Sequence, residues 1–257
     1  MNGFLHKRGQ LHFASSLVTS LVLGYVLVVT YVPTQDDQIA RYGLPEGTPL
    51  RCGHFIVAVD GATRGPRWAL EHLTPGEFRH ADRDGLTFRA ELRIPSEFRT
   101  LPRDFKEPLF DVGHMIPAAN GRTPAEIKAT FNLANAWPQS HAFNAGVWLS
   151  LEKEVRRIAT TNESWVISAP IWNVPFDYRV ESIGKTQVRI PPAFGKSMLT
   201  KTSNGIVVLS WIIPHHEETR KPLPEYRVTT DEFETAAGLD VWSLLPQDVQ
   251  QRLEAVR

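Results

Sequence analysis

Cysteine is almost absent from this sequence, and its charges cancel. Cys52 is the only cysteine among 257 residues, which excludes an intrachain disulfide and any zinc site built on four cysteines. We expect Cys52 to pack as a small apolar side chain, with an interchain bridge as the alternative. The 28 basic residues balance the 28 acidic ones, so no overall basic excess indicates a nucleic-acid binder. A local excess of basic residues between Glu152 and Lys201 could still supply phosphate contacts.

Internal repeats and low-complexity tracts are also absent, so a repeat architecture is not expected. A hydrophobic content of 42% is ample for a sizeable core. The length predicts one domain of about 200 residues with a terminal extension. We place the boundary near residue 40: residues 1–40 form an N-terminal membrane anchor or signal segment with its linker, and residues 41–257 form the folded domain.

The N-terminal segment lacks charge over a long apolar run, Phe13 to Val32, which follows Lys7 and Arg8. At ~1.5 Å per residue, this run forms a helix of about 30 Å, the thickness of a bilayer's hydrocarbon core. It is longer than the usual ~7–15 residue signal core and no Ala-x-Ala-like site follows it, so residues 13–32 favour an uncleaved transmembrane anchor over a signal peptide. The anchor would place the C-terminal domain on the non-cytoplasmic side, whereas cleavage would make the protein secreted or periplasmic. A buried helix of a soluble domain is disfavoured because every face is apolar.

The remaining sequence predicts a mixed α+β domain, with a sheet core and helices packed on it. Residues 75–108 carry many charges and several prolines, which is typical of a long surface excursion. Thr123 and Pro124 predict a helix start, and Gly238 predicts a helix end. Strands are predicted at 55–59, 165–169, 186–190, 197–200 and 206–213, and helices at 123–130, at 144–157 and from about 229 to Gly238.

The stretch from Asp111 to Glu152 contains residue types suited to hydrolysis of a phosphate ester. His114 could act as a general base, since its ordinary pKa of about 6.5 lets it accept a proton at neutral pH. Asn144 and Glu152 offer hard oxygen atoms of the type that suits hydrated Mg²⁺. In a regular helix these two residues would lie roughly 12 Å apart along the axis. We therefore expect one direct metal ligand, with the carboxylate acting through metal-bound water.

Three motifs carry a resemblance to a known family: Asp111-Val112-Gly113-His114, Asn135 with Pro138-Gln139, and Asn144 to Glu152. With further segments, the sequence resembles the DNA/RNA non-specific endonucleases over roughly residues 40–245. These segments are Tyr42–Pro45, Pro66–Trp68, Val166–Pro170 and Pro191–Lys196. The resemblance implies a ββα-metal (His-Me finger) nuclease fold with a central antiparallel sheet. It also implies that residues 68–73 form a strand, where propensity alone would allow a helical turn.

The resemblance further implies a metal-dependent endonuclease that hydrolyses DNA, RNA or both without sequence preference. His114 is then the general base, Asn144 holds Mg²⁺ or another divalent cation such as Mn²⁺, and Glu152 orients the metal's waters. The products would carry 5′-phosphate and 3′-hydroxyl ends. A homodimer and a mitochondrial membrane location are expected from the same family.

Four other residues are candidates for catalysis or phosphate binding. Asn135 could bond either backbone or substrate. Arg156 could reach a phosphate or form an i,i+4 ion pair with Glu152. Arg122 and Arg67 are further candidates for phosphate contacts.

Val112 departs from the family signature, in which arginine usually stands between Asp111 and Gly113. Valine cannot offset the charge of a phosphate, so one contact is missing. The alternative function is therefore a membrane-anchored nucleic-acid-binding module with weak or lost catalysis. His114, Asn144 and Glu152 are all present, and this argues against a loss of catalysis. Asp111 could orient His114 or cap a turn, and the pair His215-His216 could indicate a metal site, although adjacent side chains diverge on a strand.

Overall fold

The computed structural model describes residues 31, 32, 34, 37–78, 81–179, 181–215 and 221–255. The predicted anchor at 13–32 lies outside these residues apart from its last two positions. Across the described ranges, no helix is long and apolar enough to cross a bilayer. The strands are β1 Pro49–Cys52, β2 Phe55–Asp60, β3 Gly65–Leu73, β4 Phe110–His114, β5 Ala136–Ser140, β6 Ser164–Ile171, β7 Ser182–Ile183, β8 Val188–Arg189, β9 Ala193–Thr202, β10 Gly205–Pro214 and β11 Arg227–Val228.

The helices come between and after the strands along the chain, and they cover the sheet. They are α1 Pro124–Thr130, α2 His141–Phe143, α3 Leu149–Ala159, α4 Thr230–Ala237 and α5 Gln247–Glu254, with a π-helical turn at Asn144–Trp148 and short 3₁₀ turns at Pro102–Phe105, Ala118–Asn120, Leu133–Asn135 and Leu223–Tyr226. The chain thus has the mixed α+β architecture that the sequence predicts.

A seven-stranded antiparallel sheet forms the centre of the fold, in the order β1-β2-β3-β6-β9-β10-β11. The longest strands lie in its middle, where β9 pairs with β6 and β10 over most of their length. Strands β4 and β5 form a separate two-stranded sheet. Because side chains alternate across a strand, the central sheet buries apolar residues on both faces.

Each face of the sheet carries its own core. On one face, Val166 and Met198 pack with Trp137 of β5 and with Leu151 and Val155 of α3. On the other face, Trp165 and Leu199 pack with Phe233 of α4, with Trp242 and with the N-terminal segment around Ile39. The first face therefore carries the motif from Asp111 to Glu152, and we call it the motif face.

Local sequence signals explain most of the element boundaries. Thr123 and Glu126 form a reciprocal capping box at the start of α1, with Pro124 at the first helical position. Thr229 and Glu232 do the same for α4, which ends at Gly238 in the left-handed conformation (φ 64°). These predictions are confirmed, as are the strands predicted at 55–59, 68–73, 165–169, 197–200 and 206–213.

Two boundaries differ from the prediction. Of the strand predicted at 186–190, only Val188–Arg189 pairs with another strand. The residues before it form a turn, in which Gly184 and Gln187 have positive φ angles of 69° and 60°. The helix predicted at 144–157 is interrupted at Gly146, whose φ of −102° and ψ of −108° are not helical. Periodic apolar residues continue across this kink, which is why the sequence did not reveal it.

Candidate active site

Strand β4 presents Asp111 and His114 on opposite faces, because they are three positions apart in the strand. Gly113 is required between them, since an added Cβ would lie 2.1 Å from Oε1 of Gln139. Asp111 Oδ2 accepts a hydrogen bond from Asn144 Nδ2 at 2.9 Å and lies 3.0 Å from His141 Nδ1. Asp111 therefore neither orients His114 nor caps a turn; it fixes the amide of Asn144.

His114 lies between aromatic rings on the motif face. Its ring centroid is 4.7 Å from that of Phe88 and 5.0 Å from that of Phe131. Nε2 is enclosed and has no hydrogen-bond partner among the described residues. Burial, with a smaller effect from the nearby cation Arg83, lowers the pKa of His114 to about 3. The imidazole is therefore neutral at pH 7 and can accept a proton.

The kink at Gly146 lies between Asn144 and Glu152 in the chain, so these two residues are not on one regular helix. Asn144 begins the π-helical turn, whereas Glu152 lies in the first turn of α3. The regular-helix estimate of their separation therefore does not apply. Trp148 lies between them and donates from Nε1 to the backbone carbonyl of His114 at 3.2 Å, which ties the kinked helix to β4.

Oxygen atoms of Asn144 and Glu152 remain available for a ligand. With Asn144 Nδ2 bound to Asp111, Oδ1 accepts no hydrogen bond from the part of the chain that the structure describes. Glu152 is 8% exposed and forms no ion pair or hydrogen bond within the same residues. Burial raises the pKa of Glu152, and the cations Lys196, Arg156 and Arg83 oppose that rise. Arg83 therefore lies near both Glu152 and His114.

Arg156 contacts Asn120 rather than Glu152. Its Nη1 donates to Oδ1 of Asn120 at 3.0 Å, and Nδ2 of Asn120 donates to Oε1 of Glu71 at 2.7 Å. The i,i+4 ion pair with Glu152 is absent from the ion pairs of the described residues, so that alternative is wrong. Sequence reasoning missed Asn120 and Glu71. A glutamate between Leu70 and Leu73 in a buried strand was the available signal for Glu71.

Lys196 of β9 is a second buried charge that sequence reasoning missed. Its Nζ donates to the backbone carbonyl of Met115 at 3.0 Å and to Oγ of Ser168 at 2.6 Å, and it lies 4.5 Å from the ring centroid of Trp148. Burial lowers the pKa of Lys196, while Glu152 and Glu71 raise it. The lysine thus supports the residue that follows His114.

Asn135 ends the 3₁₀ turn directly before β5 and bonds to the segment that follows β4. Its side chain is fully buried, and Nδ2 donates to the carbonyls of Ile116 at 2.9 Å and Thr130 at 3.1 Å. Its Oδ1 accepts from the backbone N–H of Ile116 at 2.9 Å. Each polar atom of the amide is thus bonded to backbone, and a catalytic role for Asn135 stays a prediction.

The two other candidate arginines do not meet His114. Arg122 donates to the backbone carbonyls of Thr74 and Pro75, and its guanidinium lies 4.8 Å from the ring centroid of Phe78. Arg67 lies where the pairing of β2 with β3 is irregular and donates to the carbonyl of Gly238, at the end of α4. This contact joins Arg67 to the end of α4, which packs on the opposite face of the sheet, and a phosphate contact from Arg67 stays a prediction. The structure places the exposed Arg83 near His114 instead.

His215, which follows β10, uses both ring nitrogens in hydrogen bonds to backbone. His215 Nε2 accepts from the backbone N–H of Ser140 at 2.8 Å, so Nδ1 carries the proton and donates to the carbonyl of Pro191 at 2.9 Å. His216 lies outside the described residues. Within the described ranges, no group of three or more His, Cys, Asp or Glu side chains could hold a metal.

The oxygens near His114 fit a mostly hydrated hard cation rather than a transition metal. Asn144 Oδ1 is an amide oxygen without a hydrogen bond, and Glu152 is a carboxylate without a protein partner in the described residues. Mg²⁺ keeps several waters and takes few protein ligands. One amide oxygen and one carboxylate, as ligand types, match that preference.

Comparison with known proteins identifies the family. The family model of the DNA/RNA non-specific endonucleases matches the sequence over residues 35–248. Mitochondrial endonuclease G of Caenorhabditis elegans is 30% identical over 228 residues, which cover 83% of this chain and 74% of that protein. The mitochondrial nuclease EXOG of Homo sapiens is 29% identical over 220 residues, which cover 78% of this chain and 59% of that protein.

A solved structure extends the comparison to three dimensions. The crystal structure of an EndoG/EndoGI complex superposes with a TM-score of 0.77 at 27% identity, covering 85% of this chain and 95% of that one. The likeness supports the ββα-metal nuclease fold, in which β4, β5 and α3 carry the motif. The chain is therefore a nuclease that belongs to the DNA/RNA non-specific endonuclease family.

Proposed function

We propose that this protein is a divalent-cation-dependent endonuclease that hydrolyses phosphodiester bonds of DNA, RNA or both with little sequence preference. The observation that carries the proposal is the pairing of a neutral, ring-enclosed His114 with a buried, unbonded Glu152, both close to Arg83. Contacts to phosphate carry no base information, so little sequence preference follows from them.

His114 is the general base in this proposal. Since Nε2 is enclosed by protein, Nδ1 is the nitrogen that meets the attacking water. The neutral ring accepts a proton as the water oxygen bonds to phosphorus. The P–O3′ bond then breaks, and O3′ takes a proton from a solvent water, which leaves 5′-phosphate and 3′-hydroxyl ends. Arg83, whose charge acts on both His114 and Glu152, and Arg156 offset the charge on the phosphoryl oxygens.

Asn144 and Glu152 would hold the metal ion, Mg²⁺ or another divalent cation such as Mn²⁺. Asn144 supplies the direct oxygen ligand, and Asp111 orients it by binding the amide nitrogen. Glu152 accepts hydrogen bonds from the metal's waters. When bound, the ion supplies Lewis-acid stabilisation of the phosphoryl and leaving oxygens.

Plasmid cleavage tests the proposal. The full-length chain should nick and linearise supercoiled plasmid with Mg²⁺, and a chelator should stop it. His54→Ala is a matched control for His114→Ala, because both nitrogens of His54 are buried without a partner among the described residues and burial lowers its pKa too. Wild-type chain that binds plasmid without cutting it would support the alternative, a binding module without catalysis.

The N-terminal segment and the location form a separate proposal. We propose that residues 13–32 anchor the nuclease domain, residues 41–257, to a membrane, and that the membrane is mitochondrial, since the relatives are named as mitochondrial proteins. Full-length chain should then resist carbonate extraction, whereas a chain without residues 1–35 should be soluble and active. Recovery of a mature chain that starts near residues 33–40 would support a cleaved signal instead. The proposed homodimer is tested by light scattering of the same soluble chain.

A further inference from the structure

A chain of hydrogen bonds links the central sheet to the arginine on α3. Arg156 donates from Nη1 to Oδ1 of Asn120, and Asn120 donates from Nδ2 to Oε1 of Glu71. Asn120 and Glu71 are both buried. Because the carboxylate holds the nitrogen of the Asn120 amide, the amide oxygen has to face Arg156. The orientation of the guanidinium is therefore set from inside the protein.

Glu71 is a costly residue at this position in β3. Its neighbours on the same strand face, Ala69 and Leu73, are apolar and buried. Burial raises the pKa of Glu71, which Lys196 opposes, and Oε2 has no hydrogen-bond partner in the described part of the chain. An apolar side chain would fill this space without the desolvation cost. The carboxylate thus contributes the bond to Asn120 and a charge opposite to that of the buried Lys196.

We propose that Glu71 and Asn120 are positioning residues that hold one edge of the Arg156 guanidinium, so that its remaining N–H groups face a substrate phosphate. The proposal rests on the proposed function, in which Arg156 meets that phosphate. A guanidinium that is already held loses less side-chain freedom when it binds. The holding contact should therefore matter only while Arg156 is present.

A double-mutant cycle tests this dependence. The turnover number and KM for one defined duplex are measured with Mg²⁺ for full-length wild type, Asn120→Leu, Arg156→Ala and the double variant. In the wild-type background, Asn120→Leu should lower kcat by roughly tenfold. In the Arg156→Ala background, the same substitution should lower kcat by less than about threefold. Losses that multiply in the double variant, or a wild-type rate for Asn120→Leu, would overturn the proposal.

Variants of Glu71 separate the hydrogen bond from the charge. Glu71→Gln can still accept from Asn120 and should keep most of kcat, whereas Glu71→Leu should resemble Asn120→Leu. Equal loss in both Glu71 variants would refute the hydrogen-bond route and point to charge balance with Lys196. Glu163→Gln is the matched control, because Glu163 pairs with Lys201 at 2.6 Å away from Arg156; it should keep the wild-type rate.

Binding in chelator gives a readout that does not depend on turnover. The Kd of a short fluorescent duplex is measured for the same four proteins of the cycle at fixed salt. Asn120→Leu should weaken binding in the wild-type background and leave it unchanged in the Arg156→Ala background. A wild-type chain that binds but never cleaves would refute the proposed function, while the binding cycle would still decide whether Asn120 acts through Arg156.

Discussion

Replacing Val112 by arginine should raise the turnover number. Val112 lies two residues before His114 on the same face of β4, so their Cα atoms are roughly 6.6 Å apart along the strand. It is half-buried and packs at the edge of the motif-face core, opposite Pro138. A guanidinium there could meet a phosphate close to His114. A charge-assisted contact of about 1.5–3 kcal/mol corresponds to a gain of roughly tenfold to hundredfold if it acts only in the transition state.

The same substitution should cost some stability. Loss of a half-buried valine removes about 1 kcal/mol of apolar burial, which corresponds to a fall in Tm of about 2–4 °C for a domain of this size. Val112→Met is the matched control, because methionine adds length without charge. Initial rates of plasmid nicking at one fixed salt concentration, with Tm measured on the same samples, would separate the effect on catalysis from the effect on folding.

Arg83 is the competing source of positive charge. It lies near both His114 and Glu152, whereas the guanidiniums of Arg67 and Arg122 bind backbone elsewhere. If Val112→Arg gains no more than Val112→Met while Arg83→Ala loses a large factor, the missing-contact reasoning fails and Arg83 already serves that phosphate.

Three further predictions address the base, the turn behind it and acid stability. His114→Ala should lower kcat by about 10²–10⁴-fold with binding retained; cleavage within a few-fold of wild type would remove it from the mechanism. Asn135→Ala should lower the free energy of unfolding by about 3 kcal/mol or more, because it leaves buried backbone groups unbonded; a urea titration showing less than about 0.5 kcal/mol would contradict its structural role. Burial would raise the pKa of Glu91, but hydrogen bonds from Arg93 and Asn132 lower it to about 2. This folded pKa lies below the ordinary value, so the contribution of Glu91 to the free energy of unfolding is complete above about pH 4.5 and is lost as the pH falls towards 2. The difference in free energy of unfolding between wild type and Glu91→Gln should therefore shrink over that pH range.

Local signals made much of the fold predictable. The capping boxes at Thr123 and Thr229 and the apolar runs of β2, β6 and β10 act within a few residues, so the sequence reveals them directly. Strand β1 and helix α5 were missed for a different reason. Pro49–Cys52 is short and depends on pairing with β2, and α5 is largely polar, so neither carries a strong periodic pattern.

The site was only partly predictable, because its supporting contacts join distant segments. His114, Asn144 and Glu152 follow from motif spacing. Asn120 and Glu71 are 49 positions apart, and no local pattern indicates that they meet. The role of Asn135 depends on which backbone groups surround it, which spacing alone leaves open. In the structure, the side chain of Asn135 bonds to backbone groups of Ile116 and Thr130.

The long-range contacts of Lys196 also have a consequence for the order of folding. Its bond to the carbonyl of Met115 spans 81 positions, and Trp148, which binds the carbonyl of His114, packs under the same ammonium group. Contacts of such high sequence separation form late, after the loops between them have closed. The carbonyl of Met115, directly after the strand that bears His114, therefore gains its lysine contact only when β9 has joined the sheet. A chain truncated before β9 would hold all three motifs and yet lack the lysine that supports the residue after His114.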